Sequence, residues 1–122
     1  MATLLTPTER ETALPGLGET GWYAVQDRDA IRKIMKFRNF SEAWSFMCRV
    51  ALQAEALNHH PEWRNVYNVV DVTLTTHDCN GLSELDLRLG RAMDAFAGPA
   101  IVQHDHGAPI LSLCQTRAAG KQ

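Results

Sequence analysis

Val69-Val70-Asp71-Val72-Thr73-Leu74-Thr75-Thr76 is the stretch that decides the fold. Val70, Val72 and Leu74 alternate with Asp71, Thr73 and Thr75, so a strand over 69–76 has one apolar and one polar face. That pattern belongs to a sheet covered by helices on one side only. A shorter strand over 63–67 precedes it, with a turn at Asn68.

Helices flank this pair of strands. Upstream, Ser41 is the expected N-cap with Glu42 in the first turn. Apolar residues then recur at Ala43, Trp44, Phe46, Met47, Val50, Ala51, Ala54 and Leu57, a broad stripe at helical spacing. Pro61 biases His60 away from the α region and Asn58 tolerates a C-cap conformation, so this helix stops near Asn58. Downstream, Ser83-Glu84-Leu85-Asp86 is a capping-box variant, with Leu82 and Leu87 placed as a hydrophobic staple. Leu85, Leu89, Ala92, Met93 and Phe96 carry its stripe, and Gly98-Pro99 ends it.

Further upstream, 22–25 and 31–37 read as strands around the polar turn Asp27-Arg28-Asp29, with Ile31, Lys33, Met35 and Phe37 on one face. The order β-β-α-β-β-α predicts a two-layer α+β sandwich: a four-stranded antiparallel sheet with helices on one face. Pro15, Gly16, Gly18 and Gly21 punctuate the start, so 1–20 reads as an arm with one helical turn after Thr6-Pro7. The domain proper is expected over 21–97. In the extension 98–122, Ile101-Val102 and 110–113 read as short strands or docking segments, and 117–122 as a mobile end.

The 122 residues fit one domain, and 45% hydrophobic with 21% charged is ordinary for a globular chain. A formal net charge of −2 gives no global electrostatic case for nucleic acid or an anionic membrane. The loose basic group Arg28, Arg32, Lys33, Lys36 and Arg38 reads as a solvated strand face. No apolar run is long enough to span a membrane, and 1–14 lack the apolar core of a secretory signal. Cys48, Cys79 and Cys114 are odd in number, widely spaced and without a Cys-x-x-Cys. That argues against a disulfide framework and favours a reducing compartment such as the cytoplasm. Cys48 is expected to be a small apolar filler on its helix.

Three of the five histidines remain: His59-His60 before Pro61, and His77 at the end of the deciding strand, followed by Asp78. Three readings are open. Metal binding is geometrically weak, because adjacent residues rarely face one ion and His-Glu-x-x-His is absent, although Glu55 would be a carboxylate ligand. Hydrogen-bonded capping of strand and helix ends is the bland reading. General acid–base catalysis is the sharp one: a dehydration needs one group to protonate a leaving hydroxyl and another to remove a proton nearby. Asp86 is first of all a capping residue, and His104-x-His106 reads as a solvated loop.

A longer pattern surrounds these histidines. It runs Ala51-Leu52-Gln53-Ala54-Glu55, Asn58-His59-His60-Pro61-Glu62-Trp63, Asn65-Val66-Tyr67-Asn68, Val72, Leu74, Thr76-His77-Asp78, Gly81-Leu82-Ser83 and Asp86. Upstream, Gly21-Trp22, Arg28-Asp29-Ala30-Ile31, Phe37 and Phe40 also fit. Over about residues 20–97 this resembles the pterin-4a-carbinolamine dehydratase family. The resemblance implies an antiparallel sheet backed by helices, in agreement with the order above. It implies dehydration of 4a-hydroxytetrahydrobiopterin to quinonoid 6,7-dihydrobiopterin and water, in regeneration of tetrahydrobiopterin, with neither metal nor organic cofactor. Carried onto this chain, His60 is the main acid–base residue, with His59 and His77 assisting or holding the pterin. Asn58, Thr75, Thr76 and Asp78 line the substrate site, Glu55 orients the histidine pair, and Trp22 either flanks the pocket or is a core or interface tryptophan. A homodimer or homotetramer is implied. The non-enzymatic alternative is a dimerisation cofactor of a homeodomain transcription factor, bound through helix surfaces. Two departures stand out: Asn58, where an aspartate is common, and a chain that runs on past Phe96, where animal members with that partner stop.

Overall fold

A computed structural model describes residues 2–113. Cys114 and the end expected to be mobile, 117–122, lie outside the described residues. The chain runs α1 (Pro7–Glu19), β1 (Tyr23–Ala24), β2 (Ile31–Lys36), α2 (Phe40–Leu57), β3 (Glu62–Val66), β4 (Val69–Leu74), α3 (Glu84–Ala97) and β5 (Ile101–Val102). A single 3-10 turn, His77–Cys79, separates β4 from α3.

All strand pairs are antiparallel, in the order β1-β2-β4-β3. The α+β sandwich is as the alternation predicts, but among the described residues the sheet has five strands rather than four. Ile101 and Val102 pair with Lys36 and Met35, so β5 shares the β2 edge end to end with β1. Val72 sits at the centre, opposite Lys33 on one side and Trp63 on the other.

The apolar face of the deciding strand builds the core. Val70, Val72 and Leu74 of β4 and Ile31 and Met35 of β2 cluster with Phe46, Val50 and Ala54 of α2 and Leu87, Leu89 and Met93 of α3. Each such side chain, fully buried, contributes about 1.5–3 kcal/mol. Lys33 shares this face and is 4% exposed. It persists because Asp94 of α3 meets its Nζ at 2.6 Å, which keeps the buried charge paired. The expected solvated basic face is corrected at Lys33, which is buried; Arg28 and Arg38 are exposed as expected and pair with Glu62 and Glu42, and Arg32 pairs with Asp71.

The N-terminal segment also departs from expectation: the single turn foreseen after Thr6-Pro7 is a thirteen-residue helix. Thr6 and Glu9 form a capping box and Pro7 occupies the first turn. Pro15 removes one helical hydrogen bond. Tertiary contacts offset that loss. Leu5 and Leu17 join the core, Leu5 N–H donates to Leu82 O at 2.9 Å, and Arg10 grips Asp29 through two bonds of 2.7 and 2.8 Å.

Helix α2 begins one turn-half earlier than Ser41 suggests, because Asn39 is the cap and its Oδ1 accepts from Glu42 N–H. Cys48 points to solvent rather than filling the core. On the opposite face of the sheet, Ile110 and Leu113 of the helical turn 110–113 pack on Ile34 and Val69. The His106 ring stacks on Tyr23, with centroids 3.3 Å apart. His106 is thus not the solvated loop residue expected, and burial pushes its imidazole below the ordinary range. Among the described residues no helix is long and apolar enough to cross a membrane.

Candidate active site

Two chain reversals deliver the three histidines. At the end of α2, Asn58 adopts a left-handed conformation with φ 52°, and His59 N–H still donates back to Ala54 O at 3.0 Å. Pro61 then forces the chain out towards β3. The result is that adjacent side chains diverge: His59 is 7% exposed, whereas the His60 side chain is 60% exposed. At the end of β4, Thr76 bridges Gly81 and the 3-10 turn between them carries His77. Gly81 has a specific reason to lack a side chain, since a Cβ there would collide with Asp29 Oδ2 and Leu4.

His59 meets a buried polar network. Its Nε2–H donates to Asp86 Oδ1 at 2.6 Å. Asp86 Oδ2 accepts from Thr76 Oγ1 at 2.6 Å and from Ser83 N–H at 3.0 Å. With the Thr76 proton committed to Asp86, the Ser83 hydroxyl donates to Thr76 Oγ1 at 2.7 Å and accepts from Leu85 N–H at 3.2 Å. The aspartate is 0% exposed and holds three donors, which suits a carboxylate. The capping role read from the sequence is present, and the same side chain fixes the orientation of His59.

The other two imidazoles face solvent and hold carboxylates of their own. His60 Nε2–H donates to Glu55 Oε1 at 3.1 Å, and His77 Nε2–H to Glu62 Oε2 at 3.0 Å. Glu62 is also clasped by Arg28, which donates to both carboxylate oxygens at 2.8 and 2.7 Å. Arg28 first, and His77 second, hold the Glu62 carboxyl well below its usual value of 4.5, at about 2.

These groups border one cleft of about 350 Å³. Asn58, His59, His60, Thr75, Thr76, His77 and Asp78 all line it, together with Pro61, Glu62 and Leu85. Glu55 reaches the cleft only through His60. Trp22 does not line it. The indole is buried in the core beside Gly90, and its Nε1–H donates to Asp94 at 2.9 Å, so it serves the Lys33–Asp94 pair instead. Sequence reasoning missed Asp86 as the partner of His59, and Glu62 with Arg28 behind His77. An aspartate in place of the longer glutamate at the third position of the capping box was the available signal for the first. Nothing local in the sequence marks the second pair. Each of the three ring nitrogens engages a separate carboxylate, and among the described residues no three His, Cys, Asp or Glu side chains are grouped to hold one ion.

Comparison with known proteins identifies the family. The profile of the family described as pterin 4 alpha carbinolamine dehydratase matches residues 3–96. Two relatives in strains of Burkholderia cenocepacia carry the name pterin-4-alpha-carbinolamine dehydratase. One is 53% identical over 96 residues, spanning 79% of this chain and 92% of the relative. The other is 55% identical over 93 residues, spanning 76% and 89%. A crystal structure of a transcriptional coactivator/pterin dehydratase from Brucella melitensis superposes with a TM-score of 0.73 at 51% identity, covering 79% of this chain and all of that one (100%). A pterin dehydratase-like protein identified as a RuBisCO assembly factor in the alpha-carboxysome shares the fold, with a TM-score of 0.57 at 22% identity over 64% of this chain and 90% of its own.

The family profile and the two relatives at 53% and 55% identity define the class as a dehydratase, that is a hydro-lyase. The chain belongs to the pterin-4a-carbinolamine dehydratase family.

Proposed function

We propose that this protein dehydrates 4a-hydroxytetrahydrobiopterin to quinonoid 6,7-dihydrobiopterin and water, by general acid–base catalysis among its histidines. The observation that carries the reading is the convergence of three imidazoles, each with a carboxylate partner, on one small cleft. The reaction expels the hydroxyl on C4a and takes a proton from the ring nitrogen bonded to that carbon. His60, open to the cleft and backed by Glu55, is the principal proton carrier. His59, fixed by Asp86, and His77, held by Glu62, assist the second transfer or hold the ring. Asn58, Thr75, Thr76 and Asp78 offer polar contacts around it. The activity serves regeneration of a tetrahydropterin. The test is loss of 4a-hydroxytetrahydropterin on adding purified protein; a rate equal to the uncatalysed one would end this reading.

A second reading concerns partners. A homodimer or homotetramer, or a transcription-factor complex, is supported by one face of α2. Phe40, Trp44, Cys48 and Leu52 recur there at helical spacing and are all exposed. The coactivator half of the Brucella relative's name points the same way. Sedimentation of wild type and Trp44→Glu tests it: a smaller assembly for the variant supports an α2 interface, and a monomeric wild type refutes self-association.

A further inference from the structure

A second, larger groove opens from the histidine cleft. It has a volume of about 660 Å³, and Asn58, Asp78 and Leu85 line both spaces. Its far wall is the segment before α1, with Leu4 and Leu5, and its rim carries Glu9 and Glu84. At about 350 Å³ the cleft is near the lower end of the ~300–1,000 Å³ typical of small-molecule sites. A bicyclic ring fits such a space, but a substituent on it must project. Resting on the dehydratase reading above, we propose that this groove receives the pterin's ring substituent and selects uncharged ones, alkyl or hydroxyalkyl, over tails bearing carboxylate or phosphate.

The chemistry of the walls argues for that selection. Leu4, Leu5, Leu57 and Leu85 supply an apolar floor, and Thr3 and Thr6 supply hydroxyls for a neutral polar tail. Every ionisable side chain lining the groove is acidic: Glu9, Asp78 and Glu84. An anionic tail meets like charge there, and among the described residues no lining side chain is cationic. Two helix N-termini border the groove, and these ordinarily attract anions. Both are already served by their own side chains: Thr6 with Glu9 on α1, and Ser83 with Asp86 on α3. The segment that reads in the sequence as a loose arm thus becomes a wall of the substrate site.

The test measures binding of two oxidised pterins with the same ring, one carrying a dihydroxypropyl tail and one a benzoylglutamate tail, by fluorescence titration. At the separations of a groove rim, repulsion by exposed carboxylates is expected to weaken the anionic compound about five- to tenfold. The double variant Glu9→Gln, Glu84→Gln closes most of that gap by tightening the anionic compound; glutamine keeps the capping box of α1 intact. In amide spectra, Leu4 and Glu84 shift with tailed pterins and not with the unsubstituted ring. Equal wild-type affinities, or a gap that survives in the double variant, would overturn the proposal. Tight, tail-selective binding without turnover would instead overturn only the dehydratase reading.

Discussion

His59 and Asp86 form a buried pair across the two halves of the chain, 2.6 Å between Nε2 and Oδ1, with the carboxylate wholly enclosed. One side chain therefore caps α3, anchors Thr76 at the end of β4 and aims an imidazole at the cleft. Asp86→Asn keeps the shape but turns one acceptor into a donor facing donors. Expected is a loss of about 1–3 kcal/mol in urea unfolding, the cost of an unsatisfied buried polar group. In turnover, kcat falls about ten- to a hundredfold with KM less affected, as for a misplaced group. Unchanged unfolding would show that the network contributes no stability.

The Glu62 carboxyl titrates at about 2 in the fold against 4.5 ordinarily. A depressed folded pKa contributes stability that is complete above the unfolded value and lost as pH falls through the folded one. Wild type should therefore lose stability relative to Glu62→Gln as pH drops from 4.5 towards 2. Parallel urea midpoints for the two proteins across that window would contradict the pairing. The effect is small, because the carboxylate is 39% exposed and solvent screens it.

Leu17 packs at 3% exposure against Leu74 and Trp22 around Gly90. Leu17→Ala should cost about 2–5 kcal/mol by the cavity it leaves. Against a total of about 5–15 kcal/mol, that is visible in any denaturant melt. An arm resting loosely on the surface would show almost no change.

Asn58→Asp restores a carboxylate beside His59 and His60 while tolerating the left-handed backbone. An added negative charge favours the protonated imidazole, so the pH–rate profile should move to higher pH. An unmoved profile would mean that this side chain does not sense the catalytic histidines.

Local signals carried much of this architecture. The alternation from Val70 to Leu74 fixed the buried face, Ser83 with Asp86 marked the start of α3, and Asn58 before His59-His60-Pro61 marked where α2 releases the site. Long-range contacts account for what stayed hidden. Pro15, Gly16 and Gly18 read as breaks, yet α1 forms because Leu5, Leu17 and the Arg10–Asp29 pair hold it to the core. Two residues cannot announce a fifth strand; β5 exists because the β2 edge beside it is free beyond β1. The sequence leaves Trp22 open between the pocket and the core, because what decides it is Asp94, distant in sequence. The pairing of His59 with Asp86 spans 27 positions, beyond any local periodicity.

The most direct measurement is stopped-flow decay of a 4a-hydroxytetrahydropterin with wild type and with His60→Ala. The account predicts catalysis by wild type and a loss of about 10²–10⁴-fold in the variant, the worth of a general acid–base group. A His60→Ala protein as fast as wild type would contradict it.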